Sequence, residues 1–220
     1  MPSNAATTFK DRSADIARLQ EIHRDLVGAT PGRKYGVEVL NRSAIVFLAA
    51  MWEGYVEDLV AEAIEHLVTN ATDVTQLPKE LRKTVAAELK ADPNEIAIWQ
   101  LAGDGWRQHL QTRLAAHAAQ RASRFNTPAS DHVDTLLLRG IGLPTVSSAW
   151  QWNHMTPAQA RVKLDALVTL RGDVAHGQGG AKSVRKSRVT RGVDLVTRLI
   201  SKTDEAVNSH VAASVGKPLF

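Results

Sequence analysis

The sequence predicts an all-α protein, and three observations support this prediction. No segment of useful length alternates apolar and polar residues with a period of two, so strands are not indicated. Apolar residues recur instead at helical spacing along most of the chain. Alanine is abundant and aromatic residues make up only 5% of the 220 residues, a composition that favours helices.

Two helices are predicted in the first third of the chain. Helical spacing of apolar residues predicts a helix over 13–27, and the Thr-Pro-Gly at 30–32 ends it. A longer helix is expected from Val37 to about Val68. The central segment of this helix, residues 45–67, is largely apolar. This segment carries five carboxylates and no Lys or Arg: Glu53, Glu57, Asp58, Glu62 and Glu65.

Proline and capping residues mark the later helices. Pro78 begins a short helix that ends before Asp92. Further starts are predicted at Asp92-Pro93-Asn94-Glu95, Thr127-Pro128 and Thr156-Pro157-Ala158-Gln159. Glycines at 103 and 105 divide the stretch 96–120 into a short and a longer helix, and 140–152 is expected to be irregular. The penultimate helix is predicted to end at His176-Gly177, and the last to run from about 183 to 209.

These helices predict a bundle with a helical insertion. We expect an N-terminal helix and linker over 1–36 and a single helical domain over 37–210. The insertion is predicted at 70–155. The tail, 211–220, is expected to be frayed.

Composition and missing motifs exclude several classes of protein. Cysteine is absent, which excludes disulfides and thiolate metal sites. No apolar run approaches the ~20 residues of a membrane span, and the N-terminus does not resemble a secretory signal, so we expect a cytoplasmic protein without a membrane partner. Phosphate-binding loops, H-E-x-x-H and G-x-S-x-G are missing, and the histidines lack metal-ligand spacing. We therefore expect no cofactor and no metal.

Charge is distributed unevenly along the chain. Residues 1–100 carry 11 basic and 15 acidic side chains, whereas residues 101–220 carry 16 basic and 8 acidic ones. The second half could attract a polyanion, or it could simply be a solvated basic surface.

One pair of residues stands out by its position on a helix. Arginine followed five residues later by histidine occurs twice, at Arg18 and His23 and at Arg171 and His176. Arg18 lies off the apolar stripe of its helix, whereas Arg171 falls in the middle of one. An arginine there needs a partner. Either Glu53 or Glu57 pairs with it in a structural role, or its guanidinium is available for phosphate.

These residues carry a family resemblance. R-x4-H followed by glycine at the end of a bundle helix resembles the HEPN superfamily. Three further segments resemble its RiboL-PSP-HEPN branch: IVFLAAMWEGYVEDLV at 45–60, RFNTPASDHVDTLL with Gly-Ile-Gly over 124–142, and Trp150-Gln151-Trp152 shortly before LDALVTLRGDVAHG at 164–177.

The resemblance implies a metal-independent endoribonuclease of a toxin–antitoxin or phage-defence system. Arg171 and His176 would be its catalytic residues, in a cleft between two copies of the chain. RNA is the implied substrate, a homodimer the implied assembly, and an antitoxin an implied partner. We expect Asp173 and Glu53 to support the site. The RNA backbone would bind the basic residues that follow: Lys182, Arg185, Lys186, Arg188 and Arg191.

Two alternatives remain at the level of sequence. The family commonly has a polar residue directly after the arginine, where this chain has Gly172. The chain could therefore be a catalytically inactive HEPN-like module that binds RNA or protein. It could also be a purely structural bundle in which Arg171 pairs with Glu53 or Glu57. The tryptophans at 150 and 152 are expected in the core or an interface rather than stacked on bases.

Overall fold

The computed structural model describes residues 1–27, 37–121, 128–177 and 184–220. These residues form seven α-helices: α1 (Asn4–Val27), α2 (Glu38–Asn70), α3 (Lys79–Lys90), α4 (Gly105–Arg121), α5 (Ser130–Ile141), α6 (Pro157–His176) and α7 (Lys186–Val215). Short 3-10 helices cover Val74–Gln76, Ala97–Leu101 and Val146–Ala149. Within the described ranges the only β pairing is an isolated bridge between Trp152 and Met155. The predicted all-α class is confirmed.

Helix α2 is the central element of the bundle. It packs against α1, α4, α5, α6 and α7, and apolar residues are buried around most of its circumference. A helix with neighbours on several sides needs such a sequence, because each side has to exclude water. The predicted long helix from Val37 to about Val68 is confirmed, and only its last turn extends further.

Helix α1 begins nine residues before its predicted start. Ser3 caps it by accepting the backbone N–H of Ala6, and its own hydroxyl and N–H donate to the Asp204 carboxylate at 2.9 Å. Ala5 and Phe9 continue the buried stripe toward the N-terminus. The helix runs antiparallel to α2, since Asn4 binds Glu62 near the far end of that helix. The predicted boundary at residue 36 falls outside the described residues.

Helix α7 runs parallel to α2 and is longer than predicted. The Asn41 amide donates to the Val184 carbonyl at one end, and the Tyr55 hydroxyl donates to Asp204 at 2.8 Å further along. Burial and the Asp204 carboxylate raise the pKa of Tyr55 well above its ordinary value. Val211 and Val215 extend the buried stripe, so the helix continues six residues beyond residue 209.

The residues between α2 and α6 pack around the C-terminal half of α2. The Arg107 guanidinium of α4 donates to the carbonyls of Val68 and Ala71, which α2 leaves unpaired at its end. The prediction that a helix starts at Asp92-Pro93 is wrong. The Asp92 and Asn94 side chains instead accept backbone N–H groups two residues ahead, and only the 3-10 helix Ala97–Leu101 follows.

None of the described helices combines the length and the apolar character that crossing a membrane requires.

Candidate active site

Helix α6 presents the Arg171–His176 pair, and local sequence defines both of its ends. Thr156 accepts the backbone N–H of Gln159, and the Gln159 side chain accepts the backbone N–H of Thr156, so the predicted capping box is present. At the other end Gly177 adopts a left-handed conformation with φ of 66°, which terminates the helix at His176. Glycine is favoured there because it lacks a Cβ.

The two R-x4-H pairs of the chain differ in their surroundings. Arg18 is exposed and forms a surface ion pair with Glu21. Arg171 is half-buried, and neither it nor Glu53 is without an interaction partner. His176 is exposed on the last turn of α6. The expectation that Arg18 lies away from the apolar side of its helix is confirmed by its exposure.

Arg171 and His176 point in different directions from α6. Five residues correspond to roughly 140° around the axis and about 7.5 Å along it. Arg171 therefore faces the bundle side of the helix, while His176 lies at the exposed tip. A phosphate that contacts both side chains has to approach the end of α6 rather than its flank.

Helix register separates Glu53 from this end of α6. An added Cβ on Gly192 would lie 3.0 Å from Leu48 and 3.6 Å from Leu167, so α2, α6 and α7 meet at this level. Because α6 is antiparallel to α2, Arg171 lies one turn toward the start of α2. Glu53 lies in the opposite direction, about 13 Å from the level of Arg171 along the bundle axis. Asp173, the other predicted supporting residue, is half-buried near the end of α6.

Asp165 has a role that the sequence did not reveal. By helical periodicity it lies on the side of α6 opposite the apolar stripe. In the structure it is half-buried, and its carboxylate accepts the backbone N–H of Ser130 at 2.8 Å and the Ser130 hydroxyl at 3.0 Å. It therefore caps the N-terminus of α5, where a carboxylate also interacts favourably with the helix dipole.

The predicted RNA-binding residues separate into three groups. Arg185 precedes α7 and is exposed, and Lys186 is half-buried in its first turn. Arg188 and Arg191 are exposed and line a groove between α6 and α7. Lys182 lies outside the described residues.

Two further cations of this groove were missed by the sequence analysis. Lys163 of α6 and Arg198 of α7 line the same groove as Arg188 and Arg191. We call it the α6–α7 groove. The spacing of Arg188, Arg191 and Arg198 could have indicated Arg198 from the sequence, because this spacing places all three arginines on one face of a helix. Lys163 carries no comparable signal, since only tertiary packing brings it to α7.

The two tryptophans before α6 have different environments. Trp150 is fully buried, donates to the Thr203 hydroxyl at 2.9 Å, and packs edge-on against Trp52. Its expected place in the core is confirmed. Trp152 is half-buried and contributes to the wall of the α6–α7 groove.

Comparison with known protein families matches the chain to a family model. The RiboL-PSP-HEPN model matches residues 7–209, which includes most of α1 and of α7 and the whole Arg171–His176 region. The chain belongs to the RiboL-PSP-HEPN family. HEPN domains are all-α and are frequently endoribonucleases. No curated protein and no solved structure matched the chain.

This RiboL-PSP-HEPN chain has no obvious metal-binding cluster in its described part. Nowhere among the described residues do three His, Asp or Glu side chains converge in a way that could hold a metal ion.

Proposed function

We propose that this protein is a metal-independent endoribonuclease in which Arg171 and His176 act on the scissile phosphate. The observation that carries the proposal is the exposed His176 at the end of α6, five residues after a half-buried Arg171, in a chain that belongs to a family of frequent endoribonucleases. Histidine transfers protons near neutral pH, and arginine stabilises developing negative charge on phosphate.

The proposed reaction uses the 2′-hydroxyl of the RNA. A base removes the 2′-hydroxyl proton, and the 2′ oxygen forms a new bond to the neighbouring phosphorus. The bond from phosphorus to the 5′ oxygen breaks, and an acid protonates that leaving oxygen. The products carry a 2′,3′-cyclic phosphate and a 5′-hydroxyl. Arg171 stabilises the extra charge on the phosphorane.

The proposed active unit is a homodimer. Base and acid stand on opposite sides of an in-line displacement, and one copy of α6 supplies one histidine. Two copies whose α6 ends meet in a cleft supply two histidines and two arginines. Size-exclusion chromatography with light scattering measures the oligomeric state, and a strictly monomeric protein that still cleaves RNA would exclude this arrangement.

Cleavage of RNA by purified protein in excess EDTA tests the proposal. We expect the wild type to release cyclic phosphate ends and His176→Ala to lose cleavage, because the proton-transfer group is removed. His23→Ala is the matched control, since His23 belongs to the second R-x4-H pair but lies on a different helix, α1. Equal activity of His176→Ala and wild type, with both proteins folded, would refute the assignment.

The cellular role we propose is that of a toxin–antitoxin or phage-defence effector. Its support is family membership, and the implied partner is an antitoxin that masks the site. Induced expression should arrest growth in a manner that depends on His176. Growth that is unaffected by wild-type expression in the absence of any partner would contradict a toxin role.

One observation favours the alternative of an inactive RNA- or protein-binding module. Gly172 stands where the family commonly has a polar residue, and a Cβ added there meets no described atom within 4 Å. Under the alternative, RNA binding is retained and wild-type cleavage is absent.

A further inference from the structure

The α6–α7 groove is a preformed concave site of about 580 Å³, beside the middle of α6 and separate from its Arg171–His176 end. Its volume lies within the range of about 300–1,000 Å³ that is typical of small-ligand sites. Helices α6 and α7 form its long walls, and the turn at 152–155 closes one side. Neither Arg171 nor His176 lines it.

Unpaired positive charge dominates the walls of the groove. Four cations line it, Lys163, Arg188, Arg191 and Arg198, against the single carboxylate of Asp194. All four are exposed, and within the described part of the chain none of them forms a salt bridge. Such a concentration of one charge focuses the electric field and attracts an anion.

The groove also has apolar and aromatic lining. Trp152 and Met155 contribute to it from the turn before α6, and Leu167 and Leu195 contribute to it from α6 and α7. Reciprocal backbone hydrogen bonds of 2.9 and 3.2 Å between Trp152 and Met155 fix the backbone of the turn that carries the aromatic ring. Gly192 lets α7 approach Leu167 and Leu48 closely, which defines the base of the groove.

A planar apolar surface surrounded by phosphate-binding cations fits a nucleotide of single-stranded nucleic acid. Unpaired bases stack on aromatic side chains, while their phosphates bind nearby arginines and lysines. In a duplex the bases are stacked on each other, so the tryptophan would have no partner. An acidic peptide would use the cations and leave the aromatic surface without a specific role.

The groove is also placed to guide a strand to the end of α6. Leu167 lies at its base, and Arg171 follows one helical turn later. His176 is about 14 Å from the level of Leu167 along the helix. We propose that the α6–α7 groove binds an unpaired RNA nucleotide and its flanking phosphates, a short distance along the strand from the cleaved bond. The choice of RNA rests on the proposed function.

Binding of a fluorescein-labelled oligouridylate by fluorescence anisotropy tests this site. All proteins carry His176→Ala, so cleavage does not interfere. The groove variant is Lys163→Gln with Arg198→Gln, and the control is Arg18→Gln with Lys83→Gln, two exposed cations on α1 and α3. We expect the slope of log K against log salt to fall by about 1.4 in the groove variant only, from about 0.7 for each lost phosphate contact.

A second variant tests the stacking surface. Trp152→Leu should bind oligouridylate about tenfold more weakly, while its binding of inorganic polyphosphate stays unchanged, because polyphosphate has no bases to stack. Circular dichroism confirms that each variant is folded. Identical oligouridylate binding by the groove and control variants overturns the proposal, as does tighter binding of poly-glutamate than of oligouridylate.

Binding and cleavage can fail independently in this design. RNA that binds the groove but is not cleaved by the wild type leaves the groove assigned and rejects the ribonuclease. The groove substitutions are also made in the protein that keeps His176. Binding equal to that of the His176→Ala parent, together with cleavage equal to that of the wild type when His176 is kept, rejects the groove and leaves the ribonuclease intact.

Discussion

Gly172 lies within α6, one residue after Arg171, and we predict that Gly172→Ala stabilises the protein. Glycine loses more backbone freedom on folding than alanine does. In a helix interior that difference is about 0.5–1 kcal/mol. A Cβ at this position meets no described atom within 4 Å, so no steric cost offsets the gain.

The size of the expected shift follows from the length of the chain. For domains of 150–250 residues, 1 kcal/mol changes Tm by roughly 2–4 °C. We therefore expect Gly172→Ala to raise Tm by about 1–4 °C, a shift that differential scanning calorimetry resolves. The change in free energy of unfolding can be measured independently by urea denaturation.

Gly140→Ala is the matched control, because the same chemical change meets a different environment. A Cβ on Gly140 in α5 would lie 2.5 Å from Cγ1 of Val60, a β-branched side chain in the core. Overpacking of this kind typically costs about 1–3 kcal/mol. We expect the Tm of this variant to fall.

Opposite signs for the two glycines would support the packing described for α5 and α6. A fall in Tm for Gly172→Ala would show that the space beside it is occupied, for example by a second copy of the chain.

The substitution Gly172→Asn adds the polar group that the family commonly has there, and we expect RNA cleavage faster than that of wild type. Slower cleavage by Gly172→Asn would mean that RNA cleavage requires the space beside residue 172 to be empty.

Two further predictions concern the core and its pH dependence. Trp150→Phe removes the hydrogen bond to Thr203 and leaves space in the core, so urea denaturation should show a loss of about 2–4 kcal/mol, whereas Trp152→Phe should lose clearly less. Burial, together with the charge of Arg113, lowers the pKa of His109 below 6.5. As the pH falls below about 6.5, the unfolded chain binds more protons than the folded one, so the free energy of unfolding declines with falling pH. His109→Gln should remove this part of the decline in Tm, and an unchanged pH profile in the variant would contradict it.

Local signals in the sequence were sufficient for most of the helices. The capping box at Thr156 and the glycine at 177 define α6 through contacts within a few residues, so the end of the helix and the exposure of His176 followed from them. The apolar run of α2 predicted a long helix for the same reason, and its central position came from the structure. The prediction at Asp92 failed because its side chain satisfied the local backbone in a turn instead of a helix.

The candidate site was predictable only in the part that lies on one helix. Arg171 and His176 are both on α6, and Arg188 and Arg191 are close neighbours on α7. The contribution of Lys163 to the same groove depends on the packing of α6 against α7. Whether Glu53 or Glu57 can reach Arg171 depends on the register of α2 against α6, and sequence spacing on one helix does not determine that register.

The sequence by itself determined the helical class, the family resemblance and the Arg171–His176 pair, because each depends on residues close together in the chain. The tertiary structure alone decided which distant side chains meet. Asp165 caps α5, Ser3 binds Asp204, and cations of α6 and α7 share one groove. These contacts depend on how helices stack around α2, and that arrangement is set by the sum of many apolar contacts across the core.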